Sequence, residues 1–183
     1  MTSADRRQGI VIWITGLPGA GKTTISRDVY RQLAERTPAV VRIDGDQFRE
    51  LMGNDVGYSP ADRLVNARRI SRLCQLLSSQ GVHVVCATVS LFHECHEWNR
   101  THLPRYVEVF LRVRNDTLLA RDQKGLFSAA AGGAKGEVVG AGQTFDAPLA
   151  PDAVIDTDDD GTPAAVAAQR IVSLVEQKHG SVD

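Results

Sequence analysis

No apolar run in this 183-residue sequence approaches the roughly 18 residues of a membrane span. The first nine residues, MTSADRRQG, lack the apolar segment of a secretory leader. Cysteine is scarce: Cys74, Cys86 and Cys95 are odd in number and have no CxxC spacing, so neither a disulfide framework nor a zinc ligand pair is indicated. Charge is nearly balanced at a formal net of -1, which excludes a general pull towards nucleic acid or an anionic membrane. No internal repeat is present. Together these absences describe a cytoplasmic protein with reduced thiols and with no nucleic-acid or membrane partner. What remains is ordinary globular composition, 43% hydrophobic and 23% charged, in a chain long enough for one substantial core. Residues 1–183 are therefore expected to form a single domain.

Short β-branched runs alternate with longer helical patterns. The runs are Ile10–Thr15, Ala39–Ile43, Val82–Thr88, Tyr106–Val113 and Ala153–Ile155. Helices are expected at 22–36, 62–80, 93–102, 115–122 and 163–178, the second with an apolar stripe of Leu64, Ala67, Leu73, Cys74 and Leu77. Continuous apolar strands separated by helices indicate an α/β fold with a parallel sheet covered on both faces. Residues 124–151 break the pattern: they are rich in Gly and Ala, and they read as a mobile lid or as a stretch without structure. The acidic run Asp156–Asp160 reads as a solvated turn.

GLPGAGKT, residues 16–23, fits G-x-x-x-x-G-K-[ST] between a buried strand and a helix, the context a phosphate-binding P-loop requires. Gly16, Gly19, Ala20 and Gly21 would close backbone N–H groups around phosphate oxygens, with Thr24 following in the first helical turn. Lys22 would reach the β- and γ-phosphates, and Thr23 would offer its hydroxyl to Mg²⁺. The next strand ends in Asp44-Gly45-Asp46. Lying next to the first strand, it would bring two carboxylates beside the P-loop, one for Mg²⁺ and one to take a proton from an attacking hydroxyl, although Asp-Gly-Asp is also an ordinary turn. Beyond it come Arg49, Arg63, Arg68, Arg69 and Arg72. Arg63 shares a helix face with Asn66 and suits an oxyanion-bearing substrate; Arg68, Arg69 and Arg72 read as solvated charges.

These motifs together resemble the adenylyl-sulfate kinase family, P-loop kinases that transfer the γ-phosphate of ATP to the ribose 3′-hydroxyl of adenosine 5′-phosphosulfate. GLPGAGKTT is similar to the family's GLSGAGKST, IDGDQFR to LDGDNVR, and GYSPADRLVNARRI to GFSxxDRxENIRRI. RDQKGLF is similar to RDPKGLY, and TFDAP with VID to PYEAP with VID. The resemblance implies metal and base roles for Asp44 and Asp46, with Asp46 as the base, and acceptor contacts from Arg49, Tyr58, Arg63 and Asn66. It places Val89, Ser90 and Leu91 on the family's I-S-P beside the acceptor, Phe145 on its lid aromatic, and Arg121 and Lys124 at an ATP-contacting hinge. It also implies a homodimer.

Two departures remove positive charge from the phosphosulfate side. After Ser90 the family reads P-[YF]-R, whereas this chain has Leu91, Phe92 and His93. The family's lid I-K-x-F-T-G is answered by G-E-V-V-G at 136–140, with Lys135 one residue out of register. VSLFHECHEWNR, residues 89–100, is closer to kinases of cytidine diphosphoramidate, which read S-[ML]-F-x-E and N-R there. Adenosine 5′-phosphosulfate is thus the leading acceptor and a nucleotide such as cytidine diphosphoramidate the alternative. A guanine-nucleotide switch is disfavoured because N-K-x-D is missing and the D-x-x-G candidates do not follow strands. A zinc module on His93, Cys95 and His96 is disfavoured because the histidines are three apart, not the four of H-E-x-x-H.

Overall fold

A computed structural model of the chain describes residues 8–121, 145–158 and 161–182. Lys124, Lys135 and most of the expected lid lie outside them. Five strands, β1 (Val11–Gly16), β2 (Val40–Asp44), β3 (His83–Thr88), β4 (Tyr106–Arg112) and β5 (Ala153–Asp156), form one sheet in the order β2-β3-β1-β4-β5, every pairing parallel. The helices are α1 (Lys22–Ala34), α2 (Gly45–Leu51), α3 (Pro60–Ser79), α4 (His93–His102), α5 (Asn115–Arg121) and α6 (Ala164–His179).

Side-chain alternation along β1 divides the core in two. Ile10, Ile12 and Ile14 pack with Ile25, Val29 and Leu33 of α1 and Ala167, Ile171 and Val175 of α6. Val11 and Trp13 pack on the other face with Ala67, Ile70 and Cys74 of α3 and Cys95 of α4. Val11, Ile12, Trp13 and Ile14 are all 0% exposed. At about 2 kcal/mol each, their burial is worth about 8 kcal/mol, comparable with the net stability of a whole domain. That is why the strand carrying the P-loop lies at the centre of the sheet, and why its terminus is a rigid mount. The cysteines are free and buried on the α3–α4 side.

The expected strands and five expected helices are present, with ends displaced by two residues or fewer. Four features differ. β2 does not lie beside β1, because β3 is inserted between them. α2 was not anticipated: the Asp44 carboxylate accepts from the Asp46 N–H at 3.1 Å and caps a helix where the Asp-Gly-Asp stretch reads as a turn. α3 begins at Pro60, since the Ser59 hydroxyl caps the Asp62 N–H at 3.2 Å. Its buried stripe is Asn66, Ala67, Ile70, Ser71, Cys74 and Ser78, with Leu64, Leu73 and Leu77 only half-buried at its flanks. Finally, the acidic run is partly bound: Asp156 pairs with Arg112 at 2.6 and 2.9 Å, and Asp158 accepts from the Arg114 N–H at 2.8 Å.

Candidate active site

The loop after β1 turns through Gly19 and Gly21, whose φ values of 82° and 84° lie in the left-handed region that glycine adopts freely. Gly21 is the N-cap of α1 and supplies no side chain, and the first turn holds no acidic residue. The positive end of a 13-residue helix is thereby left to an outside anion. Lys22 Nζ donates to the carbonyls of Gly16 (2.9 Å) and Leu17 (2.7 Å), which holds the ammonium on the loop itself. Arg121 of α5 donates from Nη1 to the Gly19 carbonyl at 3.4 Å and from Nη2 to that of Thr157 at 2.6 Å, so it borders the same loop.

The Thr23 hydroxyl donates to Asp44 Oδ2 at 3.0 Å, joining P-loop helix to β2 although β3 separates their strands. Arg42, two residues before Asp44 on the same side of β2, donates to that oxygen at 3.3 Å and to Gln47 Oε1 at 3.0 Å. Burial pushes the Asp44 carboxyl up, but the Thr23 hydroxyl, the Asp46 amide and Arg42 together outweigh it and hold the carboxyl below its usual range. The result is an ionised carboxylate beside a hydroxyl. Both are hard oxygen donors of the kind Mg²⁺ takes, so the residues fit that ion. Asp46 follows on the exposed first turn of α2.

On the other side of Asp46, Arg49 is 8% exposed and donates from Nη1 to the carbonyls of Val56 and Gly57, each at 2.8 Å. Its guanidinium lies 4.6 Å from the ring centre of Tyr58. Arg63 lies 5.7 Å from that of Phe92, and burial, then Arg49, push its guanidinium down. Two neighbouring cations of this kind favour an anionic ligand. Asn66 is 6% exposed, and its Oδ1 is buried without a hydrogen-bond partner among the described residues. Ser90 is buried, its hydroxyl 2.8 Å from that of Thr88 at the end of β3. The Leu91 side chain is 2% exposed and packs with Leu17 and Leu118, with Val89 at the edge of that cluster. Only its backbone is engaged outside, its carbonyl accepting from the Asp146 N–H at 3.3 Å, next to half-exposed Phe145.

The adenylylsulphate kinase family model matches residues 8–156. The chain belongs to the adenylyl-sulfate kinase family. An adenylyl-sulfate kinase of Chloroflexus aurantiacus is 38% identical over 157 residues, 86% of this chain and 84% of that enzyme. The cytidine diphosphoramidate kinase of Campylobacter jejuni is 36% identical over 140 residues, 76% of this chain and 82% of that one. The structure of the Mycobacterium tuberculosis APS kinase in complex with AMPPNP and APS matches with a TM-score of 0.85 at 30% identity, covering 92% of this chain and 98% of that chain. This member of the adenylyl-sulfate kinase family is accordingly an ATP-dependent phosphotransferase that acts on a hydroxyl group.

In this adenylyl-sulfate kinase-family chain the HECH stretch of α4 forms no metal cluster among the described residues. Its groups go to separate neighbours: the His93 ring to the Ala147 carbonyl (2.9 Å), the His96 ring to the Ser90 carbonyl (2.8 Å), and Cys95 Sγ to the Ser71 hydroxyl (3.3 Å). Of the arginines expected to be solvated, Arg68 and Arg69 pair with Glu94 and Asp55, and Arg72 lies 4.9 Å from the Trp98 ring centre. Arg42 and Phe92 are site neighbours that sequence reasoning did not assign. For Arg42 the signal was available, since alternate residues of a strand share a side. No helix among the described residues is long and apolar enough to cross a membrane.

Proposed function

We propose that the enzyme transfers the γ-phosphate of ATP to the ribose 3′-hydroxyl of a nucleotide bearing a modified phosphate, with adenosine 5′-phosphosulfate as the acceptor and 3′-phosphoadenosine 5′-phosphosulfate as the product. The observation that carries this reading is the 3.0 Å contact joining the P-loop's Thr23 to Asp44, which sets the donor cradle beside a carboxylate pair with Arg49 and Arg63 beyond it. Gly16 to Thr24 bind the triphosphate, Lys22 leaving the loop carbonyls for the β,γ-oxygens. Thr23 and Asp44 would hold Mg²⁺, which supplies charge neutralisation for those oxygens. Asp46 orients the acceptor hydroxyl and takes its proton as the new O–P bond forms and ADP departs. Arg49, Tyr58, Arg63, Asn66 and the Val89–Leu91 backbone hold the acceptor, while Phe145 stacks on its base. Arg121 and Lys124 border the ATP, and the lid excludes water so that ATP is not hydrolysed.

A second acceptor, cytidine diphosphoramidate, is favoured by one observation: Leu91 and His93 stand where phosphosulfate kinases carry a proline and an arginine, and the Campylobacter relative acts on that other nucleotide by its name. The family resemblance supports a homodimer, and the buried free cysteines suit the cytoplasm. Residues 1–183 are taken as one domain. A coupled ADP-release assay across phosphosulfate, phosphoramidate and ordinary nucleotides tests the reading. Acceptor-dependent, Mg²⁺-dependent turnover should fall at least about a hundredfold in Lys22→Ala and Asp46→Ala. ATP turnover indifferent to every acceptor would refute it.

A further inference from the structure

His93, His96 and Arg100 recur at i, i+3 and i+7, so they lie along one face of α4. The middle one is 5% exposed, and its Nε2 lies 2.8 Å from the Ser90 carbonyl. A carbonyl only accepts, so Nε2 carries the proton. Nδ1 is buried without a hydrogen bond among the described residues, 3.7 Å from Glu108 Oε1. Glu108, 1% exposed on β4, is bound to Arg100 at 2.7 Å. Burial, the largest influence, pushes the imidazole down, against Glu108 and the Ser90 carbonyl, which push it up, and the neutral form prevails. A leucine would fill this space without an unsatisfied nitrogen. A half-satisfied polar ring in a core position therefore points to what its one good hydrogen bond does. That bond fixes Ser90, whose hydroxyl meets Thr88, and Thr88 in turn fills the space against Gly45 between the two catalytic aspartates.

We infer that His96 is a positioning residue for acceptor recognition: its Nε2–H holds the Ser90 carbonyl and so fixes the wall Ser90–Phe92 against which the acceptor nucleotide lies. The inference rests on the acceptor site proposed above. His96 acts through the Ser90 carbonyl, to which its ring is bound at 2.8 Å. Its loss loosens the acceptor side and leaves the donor side in place.

The test is steady-state kinetics with ADP release, on the first acceptor of the panel that the wild-type enzyme turns over, beginning with adenosine 5′-phosphosulfate. His96→Leu keeps the volume and removes the donor; His96→Gln restores an N–H near the Nε2 position. The Leu variant should raise the acceptor KM about tenfold, the loss expected when one buried hydrogen bond is left unmade, with the ATP KM changed less than about twofold. The Gln variant should return the acceptor KM to within about threefold of wild type. Should His96→Leu fail to fold, His96→Asn replaces it, because its amide reaches only the Nδ1 position and should behave like Leu. Equal effects of Gln and Leu (or of Gln and Asn), or a fall in kcat with both KM values unchanged, overturn the inference alone. A wild-type enzyme inert towards every acceptor overturns the proposed function, and this inference with it.

Discussion

Gly45→Ala probes how tightly the carboxylate pair is mounted. A Cβ at residue 45 would lie 2.9 Å from Thr88 Oγ1 and 3.2 Å from Thr88 Cβ, both closer than comfortable contact. Thr88 is 5% exposed and its Oγ1 is bound to Ser90 Oγ at 2.8 Å, so it cannot turn away without giving up that bond. Overpacking of this kind costs about 1–3 kcal/mol, against a gain of up to about 1 kcal/mol from the better helix propensity of alanine. The net loss, up to about 3 kcal/mol, should lower Tm by up to about 12 °C in calorimetry. The strain falls between Asp44 and Asp46, so kcat/KM should drop about 10–100-fold even where the enzyme is fully folded. Thr88→Ala removes the clashing oxygen and should recover part of both losses in the double variant. Thr88→Ser retains it and should recover neither. A Gly45→Ala enzyme with wild-type Tm and kcat/KM, or rescue by serine as good as by alanine, would refute the reasoning.

Burial, first, pushes His83, His96 and His179 below the usual value of 6.5, and His83 Nδ1 accepts the Ile10 N–H at 3.1 Å, a bond that protonation destroys. The unfolded chain then binds more protons than the folded one. Stability should be complete above about pH 6.5 and fall as pH drops towards the folded-state values, and urea midpoints between pH 7.5 and 5 would reveal this as a loss that His83→Asn diminishes. Arg100→Ala strands Glu108, which is 1% exposed, and should cost about 2–3 kcal/mol in urea unfolding. Adding Glu108→Gln should return part of it, and equal stability of the single and double variants would argue against the buried ion pair.

The P-loop was legible because its glycines, lysine and threonine are fixed by local geometry: the backbone of eight consecutive residues forms the site. The sheet was legible because its strands are short apolar runs, with β1 and β3 buried at every position. The strand order was not, since periodicity carries no information on which neighbour a parallel strand chooses, and β3 separates β1 from β2 while Thr23 and Asp44 still meet. α2 escaped notice because its capping carboxylate belongs to a stretch that also reads as a turn. His96 escaped for a different reason. Its partner Ser90 is only six residues away, but Glu108 lies on another element, and the spacing that argues against a metal in HECHEW does not say which histidine is buried. Motif register gave Leu91 a position but not its packing with Leu17 and Leu118, which come from distant parts of the sequence.

The three cysteines share the α3–α4 side of the sheet, at 0%, 0% and 2% exposure. Burial pushes the Cys95 thiol up to about 11, and that of Cys86 up as well, so the reactive thiolate is scarce while the fold is closed. An alkylating reagent left with the native enzyme therefore has to wait for this layer to open, and its rate of incorporation counts those openings. The α1–α6 layer holds no cysteine and opens silently. The molecule thus carries a chemical clock on its α3–α4 side alone, and if the acceptor binds there as proposed, it should slow that clock more than ATP does.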